Sequence, residues 1–153
     1  MRPFRHILVP TDFGPASSAA IDLAIGLAQA FEAQLTLLHV WEIPDYPYLE
    51  FMRNSPEIAR VEDAAVTGLA EGLRQAQTRL PTAKSVLRRG VPWQTIISTA
   101  LELECDLIVM GTHGLRGLSR ALLGSVTEKV VRVSPVPVLT VHAAPANTAA
   151  TRT

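Results

Sequence analysis

The chain has 153 residues, a length typical of one domain, and its 48% hydrophobic and 18% charged residues exclude an intrinsically disordered protein. Because 14 Lys and Arg residues balance 14 Asp and Glu residues, net charge gives no general attraction to nucleic acid or to an anionic membrane, and neither is expected as a partner. The single cysteine, Cys105, cannot form an intrachain disulfide, and no apolar stretch approaches the roughly 18 residues of a membrane span, so we expect a cytoplasmic protein.

Short apolar runs alternate with helical periodicities along the chain. Strands are predicted over residues 7–9, 35–40, 85–87, 106–110 and 136–141. Helices are predicted to begin at Pro15, Pro56, Pro92 and Ser125, with Ser55 as the N-cap of the second. Parallel strands need crossover helices and are buried on both faces, so this alternation predicts an α/β protein with one five-stranded parallel sheet and helices on both faces.

The same pattern sets the expected domain organisation. Residues 1–142 are predicted to form one domain, and residues 143–153, which are small and polar without periodicity, a frayed tail. Residues 42–55 form the longest predicted loop, and its role stays open at this point.

A glycine-rich turn follows the fourth predicted strand and leads into the last helix. Two residues separate Gly111 from Gly114, nine more separate Gly114 from Gly124, and Ser125 follows directly. The first turn of a helix has free N–H groups and a partial positive charge, and glycine lets the backbone approach another backbone segment or a ligand closely. The turn is therefore predicted to hold phosphate oxygens. Ser125 would either donate its hydroxyl to the ligand or serve as an ordinary helix cap.

Other glycine motifs do not fit this stretch. A P-loop would need a lysine between Gly124 and Ser125, and the dinucleotide fingerprint would place its glycines after the first strand. Protein-kinase signatures are also absent from the sequence.

At these residues the chain resembles the universal stress protein family, over about residues 4–142. The resemblance is carried by residues 7–12, 37–40, 106–114, 122–130 and 135–139. Members that bind ATP share a pattern of glycine, two residues, glycine, nine residues, glycine, and then Ser or Thr, and this chain matches it throughout. The resemblance implies a Rossmann-like fold of the adenine nucleotide alpha hydrolase type, with strand order 3-2-1-4-5.

The resemblance also implies ATP as the ligand, accompanied by Mg²⁺, and a set of contacts at matching positions. Asp12 would face the ribose or adenine, and Pro10, Thr11 and Val40 would line the adenine pocket. Met110, Gly111 and Gly114 would hold the ribose and phosphates. Gly124, Ser125 and Val126 would bind phosphates through backbone N–H groups and the hydroxyl. In the implied strand order Asp12 and Gly111 end two neighbouring strands at the point where the order reverses, which is where ligands bind in such sheets.

These features predict an ATP-binding regulatory protein of the stress response rather than an enzyme. His113 is interpreted as a polar loop residue near the phosphates, and slow ATP hydrolysis or autophosphorylation stays open by family analogy. The alternative is a nucleotide-independent dimeric adaptor or chaperone of the same fold.

The last predicted strand is expected to form the interface of a homodimer. Pro135 and Pro137 suit an edge strand, because proline cannot donate a ladder hydrogen bond. Val136, Val138 and Val141 would make that edge apolar and favour pairing with a second copy. Further protein partners are expected but cannot be identified from the sequence.

Overall fold

The computed structural model describes residues 3–43, 54–113 and 123–143. Gly114, most of the 42–55 loop and residues 144–153 of the predicted tail lie outside this part. The elements, in chain order, are β1 (His6–Pro10), α1 (Pro15–Phe31), β2 (Gln34–Trp41), α2 (Pro56–Gln77), β3 (Lys84–Arg89), α3 (Pro92–Glu102), β4 (Leu107–Gly111), α4 (Ser125–Val133) and β5 (Val138–Val141).

The five strands form one sheet in the order β3-β2-β1-β4-β5, and every pair is parallel. The predicted fold class and strand order are therefore confirmed. Prolines stand at the first turns of α1, α2 and α3, as predicted from Pro15, Pro56 and Pro92. The Ser55 hydroxyl accepts the Ile58 N–H at 3.3 Å, which is the predicted N-cap interaction of α2.

Side chains of the central strands divide between two apolar layers. Ile7 and Val9 of β1 pack with α1 and α2 on one face, whereas Leu8 packs with α3 and α4 on the other. All three are 0% exposed. Successive residues of a strand point to opposite faces, so both sides of the sheet are buried, as the continuous apolar runs predict. No helix in the described ranges is long and apolar enough to cross a membrane.

The last strand is shorter than predicted, and one expected edge residue lies in the core. β5 begins at Val138, because a turn closed by Ser134 precedes it: the Ser134 hydroxyl accepts the Val136 N–H at 3.1 Å and donates to the Val136 carbonyl at 2.8 Å. Val136 is 8% exposed and packs with Val130 in the layer under α3 and α4. The prediction that Val136 contributes to an exposed edge is therefore wrong.

The single thiol offers a test of this packing. Cys105 is buried, and burial, with a smaller effect from the Asp106 carboxylate, raises its pKa to about 11. Because only the thiolate is nucleophilic, we expect Cys105 of the folded protein to react about a hundredfold more slowly than the unfolded chain with a thiol-selective disulfide reagent at pH 8. The reaction should accelerate as the pH rises toward 11. Equal rates in buffer and in denaturant would contradict the described burial.

Candidate functional site

A cavity of about 240 Å³ lies at the carboxyl ends of β1 and β4, where the strand order reverses. Nine of the ten residues predicted from the sequence line it: Pro10, Thr11, Asp12, Val40, Met110, Gly111, Gly124, Ser125 and Val126. The tenth, Gly114, lies outside the described residues. Six further lining residues were not predicted from the sequence: Ser17, Leu38, His39, Pro92, Ile96 and Thr127.

The Asp12 side chain is held by the first turn of α1. Its Oδ1 accepts the Gly14 N–H at 2.9 Å and the Ser17 hydroxyl at 2.7 Å. Ser17 also accepts the Asp12 N–H, at 3.2 Å. Gly14 is the N-cap of α1 and has no side chain that could cap the helix. The Asp12 carboxylate instead lies at the positive end of the helix, where it accepts the Gly14 N–H. This arrangement fixes one carboxylate at the cavity wall.

His39 lines the same cavity, and its ring is held by a hydrogen bond to the backbone. Its Nδ1 is 2.7 Å from the Thr11 carbonyl oxygen. A carbonyl can only accept, so Nδ1 carries the proton and Nε2 of the neutral ring is left as an acceptor. The neighbouring Val40 was predicted at the site and His39 was not, because the position of the His39 ring depends on its bond to Thr11 in the turn that follows β1.

The close approach predicted for the glycines is, at Gly111, the approach of another backbone segment. A Cβ at this position would lie 2.7 Å from both the backbone carbon and the Cβ of Ala16. Glycine is thus required for α1 to pack closely on β4, which is one of the two close approaches, to backbone or to ligand, predicted from the sequence. The Gly111 carbonyl accepts the buried Thr127 hydroxyl at 2.8 Å, which ties α4 to the same strand end.

The amino terminus of α4 faces the cavity without a side-chain cap. Gly124 is the N-cap, and its own N–H donates to the Thr112 carbonyl at 2.6 Å, so it is not available to a phosphate as predicted. The first helical bond runs from the Glu128 N–H to the Gly124 carbonyl at 2.9 Å. Within the described part of the chain, the N–H groups of residues 125–127 have no hydrogen-bond acceptor.

Thr112 connects this helix start to the edge of the sheet. It is 1% exposed, and its N–H donates to the Val141 carbonyl of β5 at 3.0 Å. Its hydroxyl lies 3.0 Å from Nδ1 of His142, and its carbonyl accepts from Gly124. In sequence Thr112 occupies an unspecified position of the glycine pattern, and its three bonds depend on segments distant along the chain.

His113 lines the cavity, and both of its ring nitrogens are buried without a partner in the described ranges. Buried polar groups almost always have a hydrogen-bond partner, so this imidazole is available to a ligand. No group of three or more His, Cys, Asp or Glu side chains among the described residues is arranged to hold a metal ion. Among the described residues, the site therefore offers one carboxylate, two imidazoles and unpaired backbone donors beside apolar side chains.

Replacing Gly111 tests the packing that shapes the cavity. We expect Gly111→Ala to lower the free energy of unfolding by about 1–3 kcal/mol, since its Cβ would overlap the backbone of α1. Chemical denaturation followed by circular dichroism measures this. The control is Gly26→Ala on α1, where nothing lies within 4 Å of an added Cβ. Equal stability of Gly111→Ala and the wild type would contradict the close approach of α1 to β4.

Comparison with known proteins agrees with this fold. A model of the family described as the universal stress protein family matches residues 3–142. The Thermus aquaticus protein named "Universal stress protein in QAH/OAS sulfhydrylase 3'region" is 35% identical over 140 residues, covering 91% of this chain and 99% of its own length. The solved structure of the universal stress protein UspA from Lactobacillus plantarum superposes with a TM-score of 0.78 at 32% identity, covering 92% of this chain and 99% of that one.

A second solved structure is described as a universal stress protein in complex with cAMP. It is 26% identical to this chain, with a TM-score of 0.70, and the match covers 93% of this chain and 99% of that one.

Proposed function

Because the chain belongs to the universal stress protein family, we propose that it is a regulatory protein of the stress response that binds ATP in the cavity between β1, β4 and α4. The observation that carries this proposal is the uncapped start of α4, where Ser125, Val126 and Thr127 border the cavity with unpaired N–H groups in the described structure. Such donors, at the positive end of a helix, suit phosphate oxygens.

The residues that line the cavity offer partners for both the base and the phosphates of a nucleotide. Leu38, Val40, Ile96 and Met110 provide apolar wall for a base, and the start of α4 provides donors for phosphates. A similar protein whose structure is described as a cAMP complex supports an adenine nucleotide as the ligand class. The glycine spacing from Gly111 to Ser125 favours ATP within that class, since it is the pattern of the ATP-binding members.

Mg²⁺ is proposed to enter with the triphosphate rather than through a protein cage. Mg²⁺ keeps several waters and is typically bound through substrate phosphates and one or two carboxylates. Asp12 is the acidic residue among the described lining residues, and its Oδ1 already accepts two hydrogen bonds. Asp12 would therefore hold the ion directly or through water, and the phosphates would supply most of its ligands.

Binding, rather than turnover, is the proposed activity. Asp12 is fixed by α1, and His113 offers unpaired ring nitrogens to the ligand. A ligand that binds one conformation of the protein more tightly than another shifts the population toward that conformation, and this shift is the proposed regulatory signal. The alternative, a nucleotide-independent adaptor, predicts that the purified protein carries no nucleotide and behaves identically with and without it.

The hydroxyl of Ser125 tests the phosphate end of the site. We expect Ser125→Ala to weaken ATP binding about fivefold, the effect of losing one hydrogen bond, as measured by titration calorimetry. Ser98→Ala is the control, since Ser98 is an exposed helical serine of α3 that does not line the cavity. Wild-type affinity for ATP in Ser125→Ala would show that the Ser125 hydroxyl does not bind the ligand. An absence of ATP binding by the wild type would contradict the proposed function.

We also propose that two copies of the chain pair through β5. This strand lies at the edge of the sheet, and Leu139 on it is 38% exposed. Val131 and Val133 of α4, which packs on β5, are also exposed apolar residues, at 46% and 50%. Val138 and Val141 are half-buried, so Leu139 rather than the predicted Val136 is the most exposed apolar residue of the last strand.

Charge at this edge tests the dimer. We expect the wild type to sediment with twice the 16.5 kDa mass of one chain and Leu139→Asp to sediment as a monomer, because a carboxylate would be desolvated in the interface. Val66→Asp is the control, since Val66 is 50% exposed and lies on α2, away from the last strand in the sequence. A monomeric wild type at micromolar concentration, or a dimeric Leu139→Asp, would contradict pairing through β5.

A further inference from the structure

Phe13 and Gly68 are in contact near the cavity, and each is locally unfavourable, Phe13 in its backbone conformation and Gly68 in its position within a helix. Phe13, in the turn after β1, has φ of 66°, a left-handed conformation that is costly for a residue other than glycine. Gly68 lies inside the 22-residue helix α2, where glycine is less stable than alanine. A Cβ at Gly68 would lie 2.9 Å from Cε2 and 3.0 Å from Cζ of Phe13. The missing side chain of Gly68 therefore makes room for the Phe13 ring.

The same ring contacts the cavity wall. Phe13 stacks on His39 with ring centroids 4.4 Å apart and planes inclined at 34°. His39 lines the cavity and bonds the Thr11 carbonyl, whereas Phe13 lies in a separate groove between α1 and α2. Phe13 thus stands between α2 and the imidazole that the ligand would meet.

The turn around Phe13 is closed by hydrogen bonds that keep its backbone in place. The Phe13 N–H donates to the Thr11 hydroxyl at 3.0 Å, and the Gly14 N–H donates to Asp12 Oδ1 at 2.9 Å. The Thr11 N–H in turn donates to the Leu38 carbonyl at 2.8 Å. Backbone strain persists only where the surroundings over-determine it, and such positions cluster at ligand sites.

From this contact we propose that Phe13 is a positioning residue for the ligand cavity: supported by α2 at Gly68, it fixes the His39 ring and so sets the affinity for the nucleotide. The ligand in this statement rests on the proposed function above. The fixed ring keeps Nδ1 on the Thr11 carbonyl and leaves Nε2, which has no partner among the described residues, for the ligand. α2, which contributes no described residue to the cavity, thereby influences binding.

Two alanine substitutions one helical turn apart separate this role from general stability. Gly68→Ala introduces a Cβ that must displace the Phe13 ring, whereas nothing lies within 4 Å of a Cβ at Gly72. Both glycines are half-buried in the same helix and border the same groove outside the cavity. Gly72→Ala should raise the melting temperature by about 2–4 °C through helix propensity and leave ATP affinity unchanged.

Gly68→Ala should instead weaken ATP binding by about twofold to tenfold, the range expected for the loss of an aromatic pair. Phe13→Leu, which keeps an apolar side chain without an aromatic face, should weaken it similarly. Titration calorimetry measures all four proteins. Wild-type affinity in both Gly68→Ala and Phe13→Leu would overturn the proposal, as would an equal loss in Gly72→Ala.

The proton resonances of the His39 ring give a readout that needs no ligand. In the apo protein Phe13 shifts them by its ring current, and we expect Gly68→Ala and Phe13→Leu, but not Gly72→Ala, to move them. Unmoved His39 resonances in Gly68→Ala would overturn the positioning role, whatever the affinity of that variant for ATP. A wild type that bound no ATP would contradict the proposed function instead, and the His39 resonances would still decide whether Gly68 positions the ring.

Discussion

Two hydrogen bonds that the start of α4 donates to carbonyls at the end of β4 orient the first helical turn toward the cavity. The Gly124 N–H donates to the Thr112 carbonyl, and the Thr127 hydroxyl donates to the Gly111 carbonyl, so both ends of the turn are tied to the end of β4. No side chain caps the helix, and in the described chain its next N–H groups remain without acceptors. The proposed ligand site depends on this anchoring, since a frayed helix start would present no ordered donors.

The opposite wall depends on how closely α1 approaches the sheet. Gly111 allows Ala16 to lie against β4, which brings Ser17 and the Asp12 carboxylate to the same cavity as the start of α4. Behind this wall, Phe13 connects His39 to α2. Thr112 connects the start of α4 to β5, so the proposed binding site and the proposed dimer edge share a buried residue.

The fold was predictable because its signals are local: apolar runs separated by helical periodicity, and prolines at helix starts. The set of lining residues was largely predictable from the glycine spacing and the family resemblance. What could not be predicted depends on contacts between distant segments. Val136 is predicted to be a strand residue, but Ser134 closes a turn there. The Gly124 N–H is predicted to bind phosphate, but it donates to the carbonyl of Thr112, which follows β4. Gly111 and Gly68 each accommodate a side chain or backbone from another element, and the local sequence does not identify that element.

The most direct test of the account follows the backbone amides of α4 by nitrogen–proton correlation spectroscopy during titration with ATP and with adenosine. We expect ATP to shift the amide resonances of Ser125, Val126 and Thr127 strongly. The Gly124 amide should shift less, because it already donates to the Thr112 carbonyl. Adenosine, which has no phosphates, should leave all four resonances nearly unmoved. Saturable ATP binding without movement of these three amides would contradict the assignment of the phosphates to the start of α4.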